Sequence, residues 1–173
     1  MKELVVNIRT MVAEDGEKFV YAFNKQDWHK SLELFQRYVG EQKQGKRAVF
    51  VAEADKEVAG YVTLVYEPLG PYADKAIPEI VDFNVLIPYQ KQGIGTQLMN
   101  GVEAEAKRVA DVVSLAVGLH TGYGQAQRLY IKRGYIPDGT GVWYQGQPLE
   151  PYGHCENDDD LVLYMKKELT LKK

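Results

Sequence analysis

Between Ile80 and Leu86 the chain runs Ile-Val-Asp-Phe-Asn-Val-Leu, rich in β-branched and aromatic residues and too short for a helix of ordinary length. That pattern predicts a largely buried strand. Gln90-Lys91-Gln92-Gly93-Ile94-Gly95-Thr96 follows, and then Leu98, Met99, Val102, Ala106 and Val109 recur at helical spacing, with Glu103 and Lys107 expected as a four-apart pair on the outer face. The middle of the chain therefore reads as strand, glycine turn, helix. Before it, Leu4 to Ile8 predicts a strand, Val12 to Phe23 a helix with Phe19, Val20 and Phe23 inward, and Leu32, Phe35, Tyr38 and Val39 a second helix ending near Gly40. Val49 to Ala52 and Gly60 to Val65 flank Asp55-Lys56-Glu57 as a hairpin. After it come a strand at Val112 to Leu119, a helix at Gln125 to Arg133 stopped by Gly134, and a last strand pair at Trp143-Tyr144 and Leu161 to Met165. This order suggests a mixed sheet with helices on both faces.

Composition narrows the picture only mildly. At 173 residues the chain is long enough for one domain with a real core, which sets the expectation of a single domain over 1–173. A net charge of −3 argues against coating nucleic acid. The start, Met1-Lys2-Glu3-Leu4-Val5-Val6, lacks the apolar stretch of a signal peptide, and no apolar run approaches membrane-spanning length. Cys155 is the single cysteine and has no internal disulfide partner, which fits a reducing cytoplasm; His154-Cys155 is not a metal site by spacing. The polar segment 145–160, with Asp158-Asp159-Asp160, is long for a loop and reads equally as a functional element or a solvated flap.

The strand, turn and helix at the centre point to an anion. The first turn of a helix leaves N–H groups unpaired at the positive end of its dipole, and glycines at 93 and 95 keep side chains out of the way. A P-loop would need Lys then Ser or Thr after its last glycine, where this chain has Thr96-Gln97. A dinucleotide fingerprint would need a third glycine at position 98, which is Leu.

Val85-Leu86-Ile87-Pro88-Tyr89-Gln90-Lys91-Gln92-Gly93-Ile94-Gly95 resembles the acetyl-CoA-binding signature of the GNAT superfamily of N-acetyltransferases, a hydrophobic strand followed by Q/R-x-x-G-x-G/A. Ala126-Gln127-Arg128-Leu129-Tyr130-Ile131-Lys132-Arg133-Gly134-Tyr135 is similar to the family's later motif, A-x-x-L-Y-x-K-x-G-F/Y. The resemblance covers residues 47 to 136 closely. It implies a GNAT-like α/β fold, a mixed and mostly antiparallel central sheet of about seven strands with helices on both faces, and an acetyl-CoA-dependent N-acetyltransferase. Small enzymes of this family are often homodimers.

The resemblance also implies roles. An alkylamine with a pKa of about 10.4 is almost wholly protonated at neutral pH, so attack on the thioester needs a base. Glu79, eleven residues before Gln90, matches the glutamate base of the histone-acetyltransferase branch, and Asp82 is the other carboxylate of the strand, expected by alternation on the opposite face. Tyr130 stands where the family has a tyrosine that assists the departing CoA sulfur; by spacing alone it reads as core. The cofactor pyrophosphate would lie on the segment Gln92, Gly93, Ile94, Gly95 and Thr96, with charge from Lys91, and the pantetheine arm would pair with the main chain around Phe83 and Val85. In the family the residue seven before the motif tyrosine is often Asn, whereas this chain has Tyr123. His120 is expected at the end of the fifth strand, facing the cleft.

For the acceptor, Glu150, Glu156 and Asp158 to Asp160, together with Trp28 and His29, suggest a negative, aromatic-edged mouth for a cationic amine. A small-molecule amine is the leading expectation, with protein or peptide amines next. Other classes are an acyl-CoA-binding module without turnover and, more weakly, a nucleotide-binding protein. No metal, nucleic-acid or membrane partner is expected.

Overall fold

The computed structural model describes residues 4–169. Eight strands are hydrogen-bonded in the order β1-β2-β3-β4-β5-β8-β6-β7. They are β1 (Val6–Thr10), β2 (Arg47–Ala54), β3 (Glu57–Val65), β4 (Glu79–Val85), β5 (Val112–Gly118), β6 (Ile136–Tyr144), β7 (Gln147–Pro148) and β8 (Leu161–Glu168). The helices are α1 (Asp15–Asn24), α2 (Leu32–Lys43), α3 (Ile94–Val109) and α4 (Gly124–Lys132). The mixed, mostly antiparallel architecture is thus as expected, and the strand beyond the expected seven is the two-residue β7. Two compact units divide the chain: the described residues up to Val65 with Val81–Glu105, and Tyr66–Ile80 with the described residues from Ala106 onward.

In the first unit β1 pairs antiparallel with β2, and β2 with β3. Asp55 and Lys56 both adopt positive φ, 49° and 73°, between the paired ends Ala54 and Glu57. That is the two-residue turn whose twist matches the strands it joins. One face of the sheet buries Val49, Val51 and Tyr61 against Phe19 and Phe23 of α1 and Phe35, Tyr38 and Val39 of α2. Tyr61 meets the rings of Phe19 and Phe35 edge-on at centroid distances of 5.0 and 5.5 Å, arrangements worth roughly 0.5–1.5 kcal/mol each beyond simple burial. On the other face α3 passes close to Ile8 and Phe50 at Gly101. Glu103 departs from expectation: it is buried rather than outward, while Val109 at the helix end is exposed.

The start of α1 is fixed by a buried carboxylate. Asp15 is fully buried; its two oxygens accept from the Arg9 guanidinium at 2.7 and 2.8 Å, and one also accepts from the Val12 amide at 2.9 Å. Burial works against the charged form, but the Arg9 and Val12 hydrogen bonds outweigh it and hold Asp15 below the usual carboxylate range. A depressed folded pKa means that this stabilisation is complete above the free aspartate value of about 3.9 and disappears as pH falls through the folded value. Asp15→Asn is expected to cost about 1.5–3 kcal/mol at pH 7, and the gap to wild type should close at acid pH. Urea unfolding of both proteins across pH 7 to 3 measures it.

In the second unit β5 runs antiparallel to β8, β8 pairs with β6, and the first residues of β4 pair parallel with β5 at Glu79–Ser114 and Ile80–Leu115. Tyr72, Trp143 and Tyr164 form a buried cluster with Ile77, Ala116 and Val162 against it. β6 begins at Ile136, earlier than the Trp143-Tyr144 expected, because its register with β8 shifts between Pro137 and Val142.

Candidate functional site

In the first unit, β4 leaves the sheet through a 3-10 turn at Ile87–Tyr89 and enters α3 across the glycine turn. The Gln90 side chain returns to donate to the Val85 carbonyl at 3.0 Å, and Gln92 donates to the Pro88 carbonyl at 2.9 Å, so both glutamines close the turn. Lys91 and Gly93 take positive φ, 60° and 80°, a geometry that suits glycine and strains lysine. Lys91, Gln92, Gly93 and Thr96 are exposed, Ile94 is buried and anchors the helix start, and Gly95 is half-buried. A Cβ on Gly95 would lie 3.2 Å from the Phe83 ring and 3.6 Å from the Val85 side chain. The turn therefore presents the first amides of α3 with no side chain over them, flanked by Phe83 and Val85, the arrangement that receives a phosphate.

Asp82, the residue before Phe83, breaks the strand's alternation with a φ of 55°. Its carboxylate is saturated by four donors, three of them from distant parts of the chain. Lys30 Nζ and Asn84 Nδ2 reach Oδ1 at 2.9 and 2.7 Å, and the hydroxyls of Tyr38 and Tyr61 reach Oδ2 at 2.8 and 2.6 Å. Burial first, then the adjacent Asp82 charge, pushes both tyrosines up from their ordinary values, so they remain donors. The Lys30 ammonium also lies 5.5–5.8 Å from the ring centroids of Phe23, Trp28 and Tyr61. Trp28 thus borders an internal cation.

In the second unit Glu79 is half-buried at the start of β4. Next to its strand, Ser114 donates both its amide and its hydroxyl to the Pro78 carbonyl, at 3.0 and 3.1 Å. The Glu79 charge is felt by Tyr72 and Tyr164, which also sense Asp138. Tyr72 donates to Asp138 at 2.8 Å, and the other Asp138 oxygen accepts from the amide and hydroxyl of Thr140. Trp143 donates to the same hydroxyl at 3.0 Å. Burial, then the charges of Glu79 and Asp138, push Tyr164 up to about 12. Asp138 thus lies against the aromatic cluster through Tyr72, and the charge of Glu79 reaches Tyr72 and Tyr164. Sequence reasoning missed Asp138 and Tyr72, and nothing in the Asp-Gly-Thr-Gly stretch singles Asp138 out.

Tyr130 is buried on α4, its ring 5.8 Å from that of Tyr135, and burial, then the nearby Tyr123, raises its pKa above the ordinary phenol value. His120 accepts the Gly122 amide on Nδ1 at 3.0 Å, which leaves Nε2 to carry the proton it shares with Asp159 at 2.9 Å; Tyr123 donates to the same Asp159 oxygen. The Tyr123 ring covers Gly118 so closely that no Cβ would fit there. Of the late acidic run, Asp159 is therefore engaged, and Asp158 accepts from the Asp160 amide at 3.0 Å. Among the described residues no group of three or more His, Cys, Asp or Glu could hold a metal ion, and no helix is long and apolar enough to cross a membrane.

The chain belongs to the acetyltransferase (GNAT) family, whose model matches residues 9–135. Its fold is similar to that of an acetyltransferase from Salmonella typhimurium solved with its cofactor acetyl-CoA (TM-score 0.68, 19% identity, 95% of this chain and 94% of that one). It is similar also to the ribosomal-protein-alanine N-acetyltransferase from Brucella melitensis (TM-score 0.69, 20% identity, 94% and 99%). A chimeric spermidine N-acetyltransferase from Vibrio cholerae is a third such fold (TM-score 0.68, 17% identity, 97% and 96%). No curated relative matches the sequence.

Proposed function

We propose that this N-acetyltransferase moves an acetyl group from acetyl-CoA directly to a primary amine of a small, cationic molecule. The observation that carries the acceptor side is the Tyr72–Asp138 hydrogen bond, which sets a carboxylate on the Tyr72, Trp143 and Tyr164 cluster that also feels the Glu79 charge. Negative charge beside aromatic faces attracts an ammonium group, and neutral or acidic acceptors gain nothing there. The donor side rests on the open first turn of α3: the amides from Gln92 to Thr96 would take the pyrophosphate, Lys91 would add charge, and the main chain at Phe83 and Val85 would pair with the pantetheine arm.

Acetyl-CoA supplies an activated acyl carbon. Glu79 takes a proton from the substrate ammonium, directly or through water, so that the neutral amine attacks, and the Val85 amide polarises the thioester carbonyl. As the carbon–sulfur bond breaks, Tyr130 donates a hydrogen bond to the leaving sulfur. Its raised pKa suits that role better than outright proton transfer: even an ordinary phenol near 10 giving its proton to a thiolate near 8.5 is uphill by about 2 kcal/mol. Asp82, already saturated by four donors, is assigned no proton transfer.

CoA thiol release measured with polyamines, aminoglycosides, amino acids and short peptides tests this reading. Turnover is expected to be fastest with a compact amine bearing a second positive charge, and to fall with added salt. Preference for peptide amines would move the acceptor to proteins. Acetyl-CoA binding without release from any acceptor would favour a binding module.

A further inference from the structure

Lys18, Tyr21 and Ala22 of α1 and Lys25, the residue that caps its C-terminal end, recur at the spacing that places them on one helix face. That face forms one wall of a half-enclosed cavity of about 620 Å³, within the range of small-molecule sites. The facing wall is apolar, built from Val58, Leu86, Ile87 and Pro88 with the ring of Tyr89. Val58 and Leu86 are buried, but Tyr21 and Ile87 expose 64% and 59% of their surface here. Two large hydrophobic side chains open to solvent at one cavity mark a surface that a ligand would cover.

Charge decides what kind of ligand. Lys25 lies over the Tyr21 ring at 4.3 Å and has Glu57 as an acidic neighbour, while Lys18 stands at the other end of the wall. With two ammonium groups and one carboxylate the cavity is net positive, and its floor offers apolar and aromatic surface. We propose that this cavity binds a small carboxylate with an aromatic or aliphatic body, and that its occupancy is coupled to the cofactor turn. The coupling has a short physical path. Gln26 of the cavity accepts from the Ile87 amide at 3.0 Å, Gln90 donates its amide to the Ile87 carbonyl at 3.2 Å, and the Gln90 side chain closes the glycine turn on Val85. A ligand pressed on Ile87 and Tyr89 biases the position of that turn, and by linkage acetyl-CoA then biases the ligand's affinity equally. Only this coupling rests on the acetyl-CoA reading; the ligand site does not.

Calorimetric titration with phenylacetate, 2-phenylethanol and 2-phenylethylamine, three probes of similar body and different charge, tests the site. Phenylacetate is expected to bind about tenfold tighter than the other two, and Lys18→Glu or Lys25→Glu to weaken it about tenfold, whereas Lys43→Glu, an exposed lysine on α2, leaves it unchanged. Both cavity lysines are exposed, so these variants should fold, which circular dichroism checks. Saturating phenylacetate is further expected to shift the acetyl-CoA dissociation constant about fivefold. No phenylacetate binding, binding indifferent to charge or to Lys18 and Lys25, or saturation without effect on a measurable acetyl-CoA affinity each overturns the proposal. Absence of acetyl-CoA binding beside intact phenylacetate binding would instead count against the donor assignment, and the charge preference would still be read from the probes.

Discussion

Glu79→Gln is expected to lower kcat by about 10²–10⁴ while leaving the affinity for acetyl-CoA within about twofold of wild type. The substitution keeps size and removes only the charge that accepts a proton, and general base catalysis by a placed side chain is worth about that much. Because the acceptor amine is protonated at neutral pH, the variant's rate should rise more steeply with pH than the wild-type rate, as hydroxide and free amine take over the work of the missing base. A second readout is independent of turnover. The Glu79 charge helps hold the Tyr164 phenol up at about 12, after burial itself, so removing that charge should lower the Tyr164 pKa, visible as earlier tyrosinate absorbance on alkaline titration. Retained turnover together with the shifted tyrosine titration would show that the carboxylate sits where described and is not the base.

The strand, turn and helix around Gly93 and Gly95 were legible in the sequence because each signal is local: alternation and β-branching in β4, glycine where φ reaches 80°, helical periodicity from Leu98 onward. The Asp55-Lys56 hairpin was legible for the same reason, since two residues between paired strands leave few conformations. What was hidden depends on contacts far apart in sequence. Three of the four donors to Asp82 come from 21, 44 and 52 residues away, and no spacing along the chain announces that Tyr61, Tyr38 and Lys30 converge on one carboxylate. Strand β6 is obscured by its own composition: Pro137, Gly139 and Gly141 interrupt any strand pattern, yet pairing with β8 exists on either side of the register shift. Its irregularity is also what places Asp138 beside Tyr72. The helical pattern misplaces Glu103 because a charged residue four before Lys107 signals an outer-face pair, whereas the helix buries that position. Tyr130 illustrates the limit of motif and pattern together. Burial fits the core reading, and the family motif fits a role at the sulfur; a side chain can serve both when one edge of a buried ring is presented to a ligand.

Gly95→Val is expected to weaken acetyl-CoA binding about 100-fold, a loss of about 2.7 kcal/mol, without unfolding the protein. The glycine is not there for its backbone freedom, for its φ is not positive; it is there because the space is needed. A Cβ at this position already stands 3.2 Å from the Phe83 ring, and two further methyl groups would crowd the start of α3, where the proposed site takes the pyrophosphate. Valine in a helix costs only a few tenths of a kcal/mol more than most residues, so thermal unfolding should change little unless Phe83 is forced to move. Gly93 provides the contrast. Nothing lies within 4 Å of a Cβ placed there, but φ is +80°, so Gly93→Ala should cost about 1 kcal/mol of stability through backbone strain and weaken acetyl-CoA far less. Measuring acetyl-CoA affinity and melting temperature for both variants separates occlusion from strain. Unchanged affinity in Gly95→Val would remove the turn from the donor site, and with it the reason for placing the cofactor along Phe83 and Val85.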